Sequence, residues 1–152
     1  MELFCFASNN LTNIWAGIGA GKWAVAETKP ADTRARVTKS KRLKIGSLGL
    51  LYCKETHSFT TPFLVYSEPD PDQVVTDIWP ERWRLPFRIH PLGSPQRQVR
   101  MDDAKARWPT LKKSQAPSVT AAMNITGTTV FVPREITPDD WAMILTDLAS
   151  AF

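Results

Sequence analysis

The chain has little with which to cross-link itself or hold a metal. It carries two cysteines and two histidines in 152 residues. Cys5 and Cys53 sit inside apolar runs, where buried reduced thiols and a disulfide are both open readings. No CxxC or HxxxH spacing exists among Cys5, Cys53, His57 and His90, so no metal site and no cofactor are expected. No apolar stretch approaches the roughly 18 residues of a membrane span. The start, MELFCFASNN, has an acidic second residue and no basic segment, so it does not read as a signal peptide. These absences lead to the expectation of a cytoplasmic protein without a membrane partner.

Catalytic signatures are also missing. Gly17-Ile18-Gly19-Ala20-Gly21-Lys22 invites a phosphate-loop reading, but Ala16 stands where the first glycine of a Walker A motif belongs and Trp23 where the hydroxyl belongs. Lys22 replaces the third glycine of a dinucleotide fingerprint. Glu27-Thr28-Lys29 lacks the preceding acid of a nuclease strand, and nothing marks a nucleophile elbow. An enzyme is not expected.

What is present is an ordinary globular composition, with 43% hydrophobic and 22% charged residues. The length predicts one domain over residues 1–152. Leu3–Ala7 and Leu48–Cys53 read as buried strands, and Phe63–Ser67 as the partner of the second in a hairpin whose loop holds His57. Ser8-Asn9-Asn10 supplies turn and cap residues. Leu11, Ile14, Trp15 and Ile18 then recur at helical spacing until the glycines at 17, 19 and 21. Trp23–Val25 reads as extended, residues 27–44 as a polar loop with a short helix, Phe87–Leu92 as a strand, and Asp102–Arg107 as a short helix. Thr128–Val132 reads as a last strand. Thr137-Pro138-Asp139-Asp140 opens a helix with a capping-box pattern, and Trp141, Ile144, Leu145 and Leu148 form its apolar stripe. The fold class is α+β, a small curved sheet flanked by helices.

The formal net charge is +4, but the charge is segregated. Arg34, Arg36, Lys39, Lys41, Arg42 and Lys44 fall in one stretch without an acid, and Arg82, Arg84 and Arg88 form a second set. Such a distribution suits either a polyanion-binding face or a solvated loop. Six tryptophans are the other distinctive feature. Trp15 and Trp141 fit helix stripes, and Trp108 is ambiguous. Trp23, Trp79 and Trp83 sit beside turn residues, where they either plug the core or form an aromatic cage for a flat ligand.

At these residues the chain resembles two related families. Phe4–Val25, FCFASNNLTNIWAGIGAGKWAV, is similar to the start of the YTH domain: an aromatic strand, Ser-Asn-Asn with a further Asn, a helix, and Gly-x-Trp before the next strand. KIGSLGLLYC, FLVYSEPDP, DIWPERW and LPFRI resemble, in that order, motifs of the EVE domain, a sister within the PUA-like superfamily. The likeness covers about residues 3–92, and the segment from Trp79 to Phe87 is shorter than in YTH domains.

The resemblance implies a PUA-like curved sheet or small barrel. It also implies a nucleic-acid-binding module that takes a modified base, such as N6-methyladenine, flipped or single-stranded, in an aromatic cage. Carried over by position, Trp23 is the first wall, Trp79 the second and Trp83 the third. Asn13 and Asn9, beside Ser8, bond the base edge, and the Ala24 carbonyl accepts from the exocyclic N–H. Arg34, Arg36, Lys39, Lys41, Arg42, Lys44, Arg82 and Arg84 then hold phosphates. The EVE likeness adds DNA as a partner beside RNA, within a larger defence or restriction protein. A PUA-like interaction or small-molecule-binding domain is the alternative. Asn13 as a plain helix cap is the alternative for that residue.

Overall fold

A computed structural model describes residues 1–125 and 129–149. Leu3–Ala7 and Leu48–Cys53 are apolar throughout because each strand is covered on both faces. β1 (Glu2–Ser8) directs Phe4 and Phe6 to one side and Leu3 and Cys5 to the other. β3 (Leu48–Cys53) does the same with Leu51 and Cys53 against Leu50 and Tyr52. The two strands pair in parallel, Leu3 opposite Leu48 through Ser8 opposite Cys53. Both cysteines are free and buried.

The connection between β1 and β3 holds α1 (Leu11–Ala20), β2 (Lys22–Ala26) and α2 (Pro30–Ser40). Asn10 caps α1 by accepting from the Asn13 N–H at 2.8 Å. The helix does not stop at its first glycines. It runs through Gly17 and Gly19 and ends at Gly21, whose φ of 67° is the left-handed cap that glycine permits. A Cβ on Gly17 would lie 2.7 Å from the Trp23 ring, so only glycine lets that indole lie across the helix. Trp15 departs from the expected stripe and is 45% exposed. α2 runs for 11 residues where a polar loop with a short helix was expected. Proline at its first turn starts it, and it meets the core through Val37 and Ser40.

β4 (Ser58–Val65) closes a tighter hairpin on β3 than the sequence implied. After β5 (Val74–Val75), β6 runs over Trp83–Pro91. Trp83 therefore begins a strand rather than standing in a loop, and Trp23 lies within β2. β7 (Gln98–Arg100) pairs with β4, and β8 (Arg134–Glu135) pairs with the start of β1. The expected last strand does not form: Thr129–Phe131 turn, with Val132 N–H bonded to Thr129 O, and Thr128 lies outside the described residues. Pairing follows β2-β6-β4-β3-β1-β8, so the sheet is open rather than a closed barrel.

On one face, α1 and the tryptophan cluster pack on Phe6, Phe63 and Phe87. The other face carries α3 (Met101–Arg107), α4 (Pro109–Lys113), α5 (Val119–Ala122) and α6 (Pro138–Leu148). There Trp108 is core, tilted on Phe59 at 5.0 Å with its N–H on Asp147.

α6 opens on the capping box that Thr137 and Asp140 predict. Asp140 is 2% exposed and also accepts from the backbone and hydroxyl of Thr110, tying α4 to α6. Burial pushes its carboxyl pKa up, but the bonds from Thr110 and Thr137 outweigh that and leave it below the usual value. A lowered folded pKa stabilises above the unfolded value of about 3.9 and ceases to do so as pH falls through the folded one. Asp140→Asn is expected to destabilise the protein by about 1–3 kcal/mol at pH 7. In urea titrations its deficit against the parent should shrink below about pH 4. A deficit constant with pH would remove the carboxylate charge from the account.

Candidate nucleic-acid interface

The C-terminal end of β1, the first turn of α1 and the strand β2 enclose a cavity of about 220 Å³. Ser8, Asn9, Asn13, Trp23, Ala24 and Trp83 all line it. That brings together six of the seven residues singled out as base-binding. The seventh, Trp79, does not reach it. Its ring stacks on Trp83 at 4.1 Å and 13°, and its indole N–H donates to the Asn13 carbonyl at 2.9 Å. Trp79 is thus a backing plate rather than a second wall. Trp23 meets Trp83 at 5.5 Å and 89°. The two lining indoles form a corner, not the parallel slot of about 7–8 Å that a sandwiched base needs.

All three indoles are deeply buried, Trp23 at 1%, Trp79 at 3% and Trp83 at 4% exposure. The core and cage readings of these residues therefore combine. Each ring is packed into the core, and two of them also face the cavity.

Asn13 is held on the first turn of α1, with the cap function already taken by Asn10. It is 7% exposed, and its side-chain amide bonds to no described residue. An amide that lines the cavity without a protein partner retains both a donor and an acceptor for whatever fills it. Ala24 lies where the β2–β6 register shifts: Trp23 pairs with Phe87 and Val25 with Arg84, leaving Leu85 and Pro86 opposite Ala24. Pro86 has no N–H to give, and Leu85 takes a left-handed φ of 57°. The bulge takes Ala24 out of the regular ladder beside the cavity. Cys5 lines the interior as an apolar group, since burial raises its thiol pKa far above the usual range.

The basic residues divide. Arg36 lines the cavity and donates to the Ala26 carbonyl at 2.9 Å. Burial lowers its pKa and Asp32 opposes that shift, and an arginine stays charged at neutral pH in either case. Arg82 and Arg84 share Glu27 at the adjoining ends of β2 and β6. Arg34 and Lys39 are exposed on α2, and Lys41 is exposed just after it. Arg42 is paired with Glu2 at the opposite end of β1, about 20 Å from Ser8 by strand rise. Lys44 is paired with Glu68.

Two charged residues line the cavity without having been singled out. Lys54 is placed by its own N–H on the Ser8 carbonyl, and Glu81 accepts from the Trp83 indole N–H at 2.9 Å. Among the described residues, no three His, Cys, Asp or Glu side chains gather as a metal site.

No sequence-family profile matches the chain, and no curated protein matches it. Solved structures do. The YTH domain of Pho92 in complex with m6A superposes with a TM-score of 0.62 at 14% identity, over 99% of this chain and 85% of that one. The YTH domain of Zygosaccharomyces rouxii MRB1, in complex with N6-methyladenosine RNA, gives 0.61 at 17% identity over 99% and 90%. The Toxoplasma CPSF4 YTH domain with a 7 mer m6A-modified RNA gives 0.51 at 22% identity over 77% and 80%. The chain therefore has the fold of the YTH domains, across nearly its whole length.

Proposed function

We propose that this chain is a non-enzymatic reader of N6-methyladenine in single-stranded RNA. The observation that carries the reading is the unpartnered Asn13 amide that lines the cavity beside the Trp23–Trp83 corner. The YTH domains that share its fold, solved with m6A or m6A-modified RNA, support it.

The chemistry follows from the parts. The cavity is smaller than the about 300–1,000 Å³ of sites for drug-sized ligands, which suits one heterocycle. A base entering the corner stacks on one indole and meets the edge of the other, for about 1–3 kcal/mol. A methyl group adds no charge, and its gain comes from leaving water, about 1 kcal/mol. The Asn13 amide and the Ala24 carbonyl then read the base edge, and an unpaired strand offers that edge without the cost of opening a duplex. Arg36 from α2 and Lys54 from the β3–β4 turn stand where phosphates of the flanking nucleotides pass.

Fluorescence anisotropy with RNA strands of one sequence, carrying adenine, N6-methyladenine, cytosine or 5-methylcytosine, tests this. N6-methyladenine is expected to win over adenine by about fivefold or more. Equal affinity for all four strands would overturn the reading, and stronger binding of the same strands as DNA would move the substrate. No affinity for any strand would restore the small-molecule or interaction-domain alternative.

Phosphate contacts make a separate expectation. Lys54→Ala and Arg36→Ala should each weaken modified and unmodified strands alike, and each should reduce the slope of log affinity against log salt by about 0.7. Arg42→Ala, at the far end of β1, should leave the slope unchanged. A slope that ignores Lys54 and Arg36 would place the strand elsewhere on the surface.

A further inference from the structure

The three clustered indoles are tethered differently. Trp79 gives its N–H to a backbone carbonyl, Trp83 gives its N–H to a carboxylate, and the Trp23 N–H bonds to no described residue. The carboxylate belongs to Glu81, which is exposed, lies two residues before its partner and lines the cavity. The arginines on either side of Trp83 do not claim it, because Arg82 and Arg84 both turn to Glu27. Glu81 makes no ion pair among the described residues, and its contact there is the indole N–H.

We propose that Glu81 is a positioning residue for Trp83 and, through it, for the ligand-facing corner of the cavity. This rests on the reading given under Proposed function. Stacking on Trp79 at 13° fixes the plane of the Trp83 ring but is compatible with either of the two χ2 orientations that share that plane and exchange the edge carrying the N–H. A hydrogen bond at the ring edge is directional, and a charged acceptor strengthens it. Trp79 therefore sets the tilt of the wall and Glu81 selects the edge that carries its N–H. The wall then meets Trp23 at 89° with the cavity open beside it. Glu81 achieves this from the surface, so its removal reaches the wall without opening a hole in the core.

The test uses three variants of the whole chain. Glu81→Gln keeps an oxygen acceptor and drops the charge, Glu81→Ala drops both, and Trp83→Phe keeps a ring and drops the N–H. Each is read by anisotropy with N6-methyladenine and adenine RNA, and the two Glu81 variants also by the indole 1H–15N resonance of Trp83. Glu81→Ala should shift that resonance and lower affinity for the modified strand about three- to tenfold. Glu81→Gln should restore most of both. In the Trp83→Phe background Glu81→Ala should have no further effect on the modified strand. Additive losses, a Glu81→Gln variant as weak as Glu81→Ala, or an unmoved indole resonance would each overturn the proposal. If the parent protein shows no preference for the methylated strand, the reader function fails, while the indole resonance still decides whether Glu81 holds Trp83.

Discussion

Trp23→Ala is expected to cost the protein about 3–5 kcal/mol of stability, the range for removing a fully buried large aromatic side chain. Trp23 is 1% exposed and packs against Trp79 at 5.6 Å, Trp83 at 5.5 Å and the backbone of α1 at Gly17. The family resemblance made Trp23 a cage wall, and a wall that stacked without packing would lose base preference in a folded protein. The structure alters that expectation, because the indole joins α1, β2 and the start of β6. Domains of this size are stable by about 5–15 kcal/mol, so the variant should remain largely folded in the cold but melt far earlier. Urea denaturation and anisotropy at low temperature check both halves: the midpoint should fall sharply, and the preference for N6-methyladenine should vanish while salt-dependent binding persists. An unchanged midpoint would show that the ring is not part of the core.

The same residue illustrates what sequence makes visible. Buried strands announced themselves as unbroken apolar runs, and the Thr137 capping box announced α6, because both signals are local. The order of Ser8-Asn9, Asn13 and Trp23 was legible through the resemblance to the YTH domain, and those residues do line one cavity. The length of α2 was hidden because it has only a narrow contact with the core around Val37, too little for an apolar stripe. The charge run from Arg34 to Lys44 looked like one face, yet the helix and the turn after it carry Arg36 to the cavity and Arg42 to the far end of β1. Lys54 and Glu81 left no signal, because their importance comes from a hairpin turn docked on Ser8 and from an indole N–H. The stacking of Trp79 on Trp83 was likewise invisible, since spacing along a chain does not say which face of a ring is covered.

Asn13→Ala is expected to reduce discrimination between bases by about 1–3 kcal/mol, roughly five- to more than a hundredfold, with nonspecific affinity unchanged. The helix-cap alternative for this residue has a definite answer in the geometry: Asn10 Oδ1 accepts from the Asn13 N–H, so the Asn13 amide has no capping duty. Its backbone carbonyl is engaged by Trp79, which holds the residue in place whatever its side chain does. Alanine also suits the helix better than asparagine by intrinsic propensity, and no protein hydrogen bond is lost with the amide. The variant should therefore be as stable as the parent or slightly more so, which separates its effect from that of Trp23→Ala. A competition assay across adenine, N6-methyladenine, cytosine and 5-methylcytosine strands reads the outcome. If stability holds and the four affinities converge, the amide reads the base edge. If the ranking and its spacing survive, the edge is read by other groups in the cavity, and the unpaired Asn13 amide is served by water alone.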